Sequence, residues 1–269
     1  MGKKRLDVML VEGGFFPSRE QAKRALMAGE VFINGEREDK AGTTFDPDKV
    51  RTIEVKADTL PFVSRGGLKL EKALRVFEID LKDTTCLDIG ASTGGFTDCM
   101  LQAGAKKVYA VDVGYGQLAY SLSVDERVVS MERTNFRNLT REDFDTDFDF
   151  ATADVSFISL DKILPVANTV VKEDGRMVVL VKPQFEAGRD KVGKNGVVRD
   201  KAVHKEVIEK VLLAAKENAF FVSGLSFSPV TGPKGNIEYL LYLNRNEDAS
   251  YDIDKTVEEA HVELLKKNV

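Results

Sequence analysis

An apolar run, Cys86-Leu87-Asp88-Ile89, breaks into Gly90-Ala91-Ser92-Thr93-Gly94-Gly95-Phe96 and continues through Thr97-Asp98-Cys99-Met100-Leu101 with a helical pattern. A second apolar run, Val108-Tyr109-Ala110-Val111, closes on Asp112. Strand, glycine turn, helix, strand and terminal carboxylate describe a nucleoside site. The glycines let backbone approach a ligand at a helix start, and the carboxylate accepts hydrogen bonds from ribose hydroxyls. The spacing Gly90-x-x-x-Gly94-Gly95 departs from the G-x-G-x-x-G of dinucleotide sites, and Asp88 adds a negative charge that a diphosphate would meet unfavourably. S-adenosylmethionine carries an ammonium, a sulfonium and no phosphate, so the same acids favour it. Expected cofactor contacts are Asp88, Gly90, Ala91, Ser92, Gly94, Gly95 and Phe96 around the methionine half, Asp112 at the ribose, and Asn135 toward the adenine edge. Core packing is an equal expectation for Phe96.

The elements that must position this chemistry follow in order. Residues 128–131 read as a third strand, residues 148–153 as a fourth ending at Asp154, residues 160–171 as helical, and residues 176–181 as a fifth strand ending at Lys182. Residues 220–227 and 237–243, with Pro229, Pro233 and Gly235 between them, read as a closing antiparallel pair. Strands alternating with helices build a doubly wound α/β sheet of Rossmann-like type. Ligands of such sheets bind beyond the carboxyl ends of the strands, so Asp112, Asp154 and Lys182 should converge on one crevice. A lysine capping an apolar strand either snorkels to solvent or works there. Cys86 and Cys99 read as core thiols, and His204 and His261 stand apart in charged helical segments, so no metal site is expected.

Lys and Arg number 39 against 44 Asp and Glu in 269 residues, a net charge of −5, which excludes a wholly basic nucleic-acid binder. Basic charge is instead local. Residues 1–28 carry six basic and three acidic side chains, whereas residues 29–60 carry five and eight. Within this front segment, Ser18-Arg19-Glu20-Gln21 has the form of a capping box, Gly29 ends the helix, and Asn34-Gly35 marks a hairpin. Arg19 and Lys23 lie one helical turn apart and share a face able to grip phosphates. The stretch 188–199 is glycine-punctuated and basic, with Arg189, Lys191 and Lys194 directly after the Lys182 strand. It reads as a loop for RNA backbone contact. Neither a membrane span nor a signal core is legible, and a cytoplasmic protein is expected.

Arg5-Leu6-Asp7, Phe16-x-Ser18-Arg19, Ala22, Gly29, Val31 and Asn34-Gly35 resemble the alpha-L RNA-binding domain first described in ribosomal protein S-four. The remainder is similar to the FtsJ-like ribose methyltransferases, and the fusion resembles the TlyA family, historically labelled hemolysin and understood as ribosomal RNA cytidine 2′-O-methyltransferases. The resemblance implies a small α+β RNA-binding domain over residues 1–60 and a SAM-dependent methyltransferase domain over residues 61–269. It implies ribosomal RNA within ribosomal subunits as partner, with no membrane and no metal. It also implies a Lys-Asp-Lys-Glu tetrad, matched here by Lys69, Asp154, Lys182 and Glu238. In that reading Lys182 orients and deprotonates a ribose 2′-hydroxyl, Asp154 positions it, Lys69 tunes Lys182 and holds a phosphate, and Glu238 orients a lysine. A second cation beside a buried Lys182 would lower its pKa, with Asp154 opposing. Arg5, Arg19, Lys23, Arg24, Arg65, Arg189, Lys191 and Lys194 are the expected RNA contacts. Asp154-Val155-Ser156-Phe157 lacks the prolines typical of amine methylation, and both cysteines lie in the wrong half for base C5 methylation. The competing readings are a ribosome-assembly factor with a non-catalytic methyltransferase fold and a membrane-acting hemolysin.

Overall fold

The computed structural model describes residues 3–16, 18–38, 40–55 and 60–266; the side chains of Arg24, Met27, Ala28, Pro233, Leu265 and Lys266 lie outside the described set. The chain divides into two units, Met1–Pro61 and Phe62–Val269. The first contains β1 (Lys4–Arg5), α1 (Leu6–Glu12), α2 (Arg19–Ala28), β2 (Val31–Ile33), β3 (Glu36–Glu38), β4 (Thr44–Phe45) and β5 (Ile53–Val55). Ser18 caps α2 by accepting from the Gln21 N–H at 3.3 Å, and Gly29 ends it in a left-handed conformation. The Asn34-Gly35 turn joins β2 to β3, and β5 pairs on the other edge of β2. Asn34 Oδ1 accepts from the Arg51 and Thr52 N–H groups, which fixes that third strand. Leu6, Leu10, Ala22, Leu26, Val31 and Ile33 form the core. The helix α1, which the sequence reading omits, supplies two of these residues from only seven positions and has no side-chain cap.

The second unit contains α3 (Gly66–Val76), β6 (Thr85–Ile89), α4 (Gly95–Gln102), β7 (Lys107–Val111), α5 (Tyr120–Ser123), β8 (Val128–Met131), β9 (Phe148–Ala153), α6 (Leu164–Val170), β10 (Val171–Val181), α7 (Pro183–Glu186), α8 (Lys201–Glu217), β11 (Phe221–Phe227), β12 (Tyr239–Asn244) and α9 (Ile253–Lys266). Its sheet order is β11-β12-β10-β9-β6-β7-β8. Strands β6 to β10 are mutually parallel, and β12 and β11 are antiparallel additions. The chain winds outward from β6 through β7 to β8, then returns to β9 on the other side of β6. The winding direction thus reverses between β6 and β9, the switch point beside which such sheets bind ligands.

Alternation along the strands feeds two cores. Val178, Leu180, Leu240 and Tyr242 enter one face, and Val179, Val181, Leu241 and Leu243 the other. The expected helix over 160–171 is shorter, running from Leu164 to Val170 with Pro165 in its first turn, where a missing N–H costs nothing. The fifth strand begins earlier than expected, at Val171, with a register break against β9 before Arg176. Cys86 and Cys99 are buried free thiols, and burial pushes both up to about 12. His204 and His261, read from sequence as isolated, are neighbours in the fold: α8 and α9 bring His261 Nε2 to 3.1 Å from His204 Nδ1. No helix among the described residues is long and apolar enough to cross a membrane.

Candidate active site

The glycine turn after β6 is shaped by its neighbours. Gly90 has φ +84°, and a Cβ there would sit 2.9 Å from the Asp154 carbonyl oxygen, so only glycine lets the β6 turn approach the β9 end this closely. A Cβ at Gly95 would lie 2.3 Å from Ser64 Oγ and 2.8 Å from the Gly67 nitrogen. This glycine thus serves the contact between α4 and the start of α3, the helix that carries Lys69. Beside the turn, Ala91, Ser92, Asp112, Gly114, Gln117 and Glu132 line a crevice between the ends of β6, β7 and β8. Asp112 accepts from the Ser92 N–H at 2.8 Å and the Gly114 N–H at 2.7 Å, and Glu132 from the Gly116 N–H at 2.8 Å. Two carboxylates at one rim, with no basic side chain in the lining, suit a cationic nucleoside and repel a diphosphate.

Three of the expected cofactor residues stand differently. Asp88 is fully buried, with its oxygens accepting from Thr97 Oγ1 at 2.7 Å and Thr152 Oγ1 at 3.0 Å. Burial raises its pKa to about 6. Its carboxylate braces β6 against α4 and β9 instead of facing a ligand. Phe96 packs in the core with Leu70 and Met100. Asn135 turns its carbonyl oxygen to the Arg137 N–H, capping a short turn, and is not part of the crevice lining. Glu132 and Gln117 do line it: Glu132 directly follows β8 and so stood at a strand end that the sequence reading passed over, whereas Gln117 lies in the segment between β7 and α5.

The four tetrad residues come together. Asp154 follows β9, Lys182 follows β10 and Glu238 precedes β12, and these three strands are adjacent, with Val179 opposite Ala153 and Val181 opposite Tyr239. Lys69 reaches in from α3. Its Nζ lies 2.7 Å from Glu238 Oε2 and 3.2 Å from Asp154 Oδ2, while Lys182 Nζ pairs with Asp154 Oδ1 and donates to Ser156 Oγ at 3.2 Å. Charges alternate along the row Glu238, Lys69, Asp154, Lys182, with side-chain exposures of 1%, 12%, 18% and 8%. Burial opposes the Lys69 charge, but attraction from Asp154 and Glu238 outweighs it and holds the ammonium above its ordinary pKa. Burial likewise opposes the Asp154 charge, and Lys69 and Lys182 together hold that carboxyl below its ordinary range. The cation of Lys69 is thus compensated by two carboxylates, and Asp154 stands as the group both lysines share.

Around this row lie features that sequence spacing did not expose. Phe157 has φ +63°, is 91% exposed, and meets the Phe185 ring at 4.9 Å. Glu186, buried, accepts from the Leu160 N–H at 2.7 Å and Ser159 Oγ at 2.5 Å, tying the turn after β10 to the turn after β9. Asn236, also buried, accepts from the Val198 N–H at 3.1 Å and donates to the Gly196 carbonyl at 2.9 Å. The basic loop is therefore strapped to the segment that ends in Glu238. Within that loop Arg189 and Lys194 are exposed, and Lys191 pairs with Glu206 at 2.5 Å. Arg65 is exposed at the start of α3. In the first unit Arg5 and Arg19 both bind Asp7, Lys23 pairs with Glu20 at 2.8 Å, and the Arg24 side chain lies outside the described residues. Among the described residues, no group of three or more His, Cys, Asp and Glu side chains is placed to hold a metal ion.

A parallel sheet with an antiparallel edge pair, a glycine turn at its switch point and acids at the nucleoside end defines the Rossmann-like methyltransferase class. The chain belongs to the FtsJ-like methyltransferase family, whose model matches residues 62–245, and it carries an S4 domain over residues 4–50. It is 54% identical to YqxC of Bacillus subtilis, with 98% of this chain and 96% of that protein covered. It is 43% identical to the Mycobacterium tuberculosis protein named 16S/23S rRNA (cytidine-2′-O)-methyltransferase TlyA, with 91% of each covered. A solved Streptococcus thermophilus structure bearing a hemolysin label shares 50% identity and superposes with a TM-score of 0.79, covering 100% of this chain and 98% of that one.

Proposed function

We propose that this protein transfers a methyl group from S-adenosylmethionine to the ribose 2′-hydroxyl of a cytidine in ribosomal RNA. The observation that carries the reading is the buried row Glu238, Lys69, Asp154, Lys182, set beside an acid-rimmed glycine turn at the switch point of the sheet. When bound, S-adenosylmethionine supplies a methyl group made electrophilic by its sulfonium. The turn at Gly90 to Gly95 and the carboxylate of Asp112 would hold it, with Glu132 adding negative charge at the same rim. A ribose hydroxyl is a poor nucleophile near neutral pH, so the chain has to align it and accept its proton. Lys182 would do both in its neutral form, after giving up the proton that pairs it with Asp154: the free amine orients the hydroxyl and takes up the hydroxyl proton. Asp154 steadies the Lys182 side chain, but only in part, because Lys69 draws the same carboxylate toward itself. Glu238 fixes Lys69 in that position. Lys69 thereby acts on Lys182 through the Asp154 carboxylate that the two share.

RNA would be gripped outside the reacting atoms. Arg65, Arg189 and Lys194 offer phosphate contacts, and the exposed Phe157 ring, braced on Phe185, offers a stacking face for a base beside the target. The S4 domain supplies Arg5, Arg19, Lys23 and Arg24. The cytidine assignment rests on the name carried by the Mycobacterium tuberculosis relative. The test is methyl transfer in vitro to purified ribosomal subunits, with the modified nucleoside identified by mass spectrometry. 2′-O-methylcytidine is expected. A methyl group on a base, or no transfer to either subunit, would overturn the reading.

A further inference from the structure

Asp7 is fully buried, yet it sits among the residues that make the first unit locally basic. Arg5 approaches it edge-on, with Nε 3.0 Å from Oδ1 and Nη2 3.2 Å from Oδ2. Arg19, from the next helix, brings Nε to 3.3 Å and Nη2 to 2.7 Å of the same Oδ2. Both guanidinium groups therefore spend the same edge on one carboxylate, and both are about half exposed, at 49% and 52%. A guanidinium has five N–H donors in a planar fork, and using two of them on Asp7 leaves three on its outward side. Two arginines anchored on a single carboxylate present those remaining donors from fixed positions, with their side-chain entropy already spent. The paired arginines hold the Asp7 carboxyl down to about 2, so the anchor stays charged at any working pH.

We propose that Asp7 is a positioning residue for RNA, holding Arg5 and Arg19 as one two-guanidinium phosphate clamp, so that removing its negative charge weakens RNA binding. This rests on the reading of ribosomal RNA as partner. It separates cleanly from simple electrostatics: a carboxylate next to a phosphate-binding face is repulsive on charge count alone, so a neutral replacement should then tighten binding.

The experiment titrates the full-length protein against purified small and large ribosomal subunits separately, over a potassium chloride series at fixed magnesium. The wild type is compared with Asp7→Asn, Arg5→Ala/Arg19→Ala and the triple variant. Asp7→Asn is expected to weaken binding by about fivefold to tenfold and to lower the slope of log affinity against log salt by about 1 to 2, as loss of one or two phosphate contacts does. It is expected to change nothing further in the Arg5→Ala/Arg19→Ala background. Arg19→Lys is a second, fold-neutral probe at a half-exposed site: it keeps the charge but loses the fork, and should weaken binding as much as Arg19→Ala. Unchanged or tighter binding by Asp7→Asn, an equal loss in the arginine-less background, or wild-type affinity in Arg19→Lys overturns the inference. Failure of the wild type to bind either subunit overturns the functional reading beneath it.

Discussion

Lys69 is the cation between the buried Glu238 and the partly exposed Asp154, and its replacement by methionine tests whether that row is held together by charge balance. At 3.2 Å and 2.7 Å, each contact is worth about 5–6 kcal/mol at an effective dielectric of about 20. Against this stands the desolvation that an ammonium 12% exposed no longer incurs once it is gone. Removing one partner of a buried ionic group typically costs about 3–5 kcal/mol net, because the remaining charge is left uncompensated. For a unit of this size that corresponds to a fall in Tm of roughly 6–20 °C. Glu238→Gln strands the opposite charge and should also destabilise. In Lys69→Met/Glu238→Gln, however, only Asp154 and Lys182 remain and the row is neutral again. The double variant should therefore be more stable than the sum of the singles by at least about 2 kcal/mol, measured by calorimetric unfolding of the full chain. Losses that add to within about 0.5 kcal/mol would refute the argument and reduce the row to four independent side chains.

Two further predictions follow from the surroundings of the site. Burial pushes the His204 imidazole down to about 4 from an ordinary 6.5, so the native state binds its proton less readily than the unfolded chain, and the stability it confers above pH 6.5 is lost as pH falls toward 4. Asp88, raised to about 6, acts in the opposite sense over the same range, so the contribution has to be isolated by difference. Acidification from pH 7.5 to 5 should destabilise the wild type relative to His204→Gln by about 2 kcal/mol in urea unfolding; a pH-independent difference would show that the histidine is not buried neutral. Asn236→Ala removes both hydrogen bonds that strap residues 196–198 to the Glu238 segment. It should raise KM for ribosomal subunits about tenfold through a loosened basic loop while leaving SAM affinity unchanged by titration calorimetry, and an unaltered KM would free the loop from this role.

What the sequence exposed was whatever is written locally. The turn from Gly90 to Gly95, the closure of β7 on Asp112 and the hairpin at Asn34-Gly35 each depend on residues a few positions apart, and all lie where the pattern placed them. What it concealed depends on distant neighbours. Asp88 looks like a ligand group until Thr97 and Thr152 are seen to take both its oxygens. Gly95 has a second reason to be glycine that spacing does not show, the Gly67 backbone packed against it. His204 and His261 are separated by 57 residues and become partners only when α8 and α9 pack. Lys69 and Lys182 both pair with Asp154, a shared partner that no spacing records.

Lys182 is the residue proposed to align the ribose hydroxyl and, as the neutral amine, to accept its proton. Single-turnover methyl transfer to ribosomal subunits by Lys182→Ala, with SAM affinity measured in parallel by calorimetry, tests this most directly. The expected result is a loss of transfer of at least about a hundredfold with SAM affinity within a few fold of the wild type. Transfer at the wild-type rate, or a loss fully explained by weakened SAM binding, would contradict it.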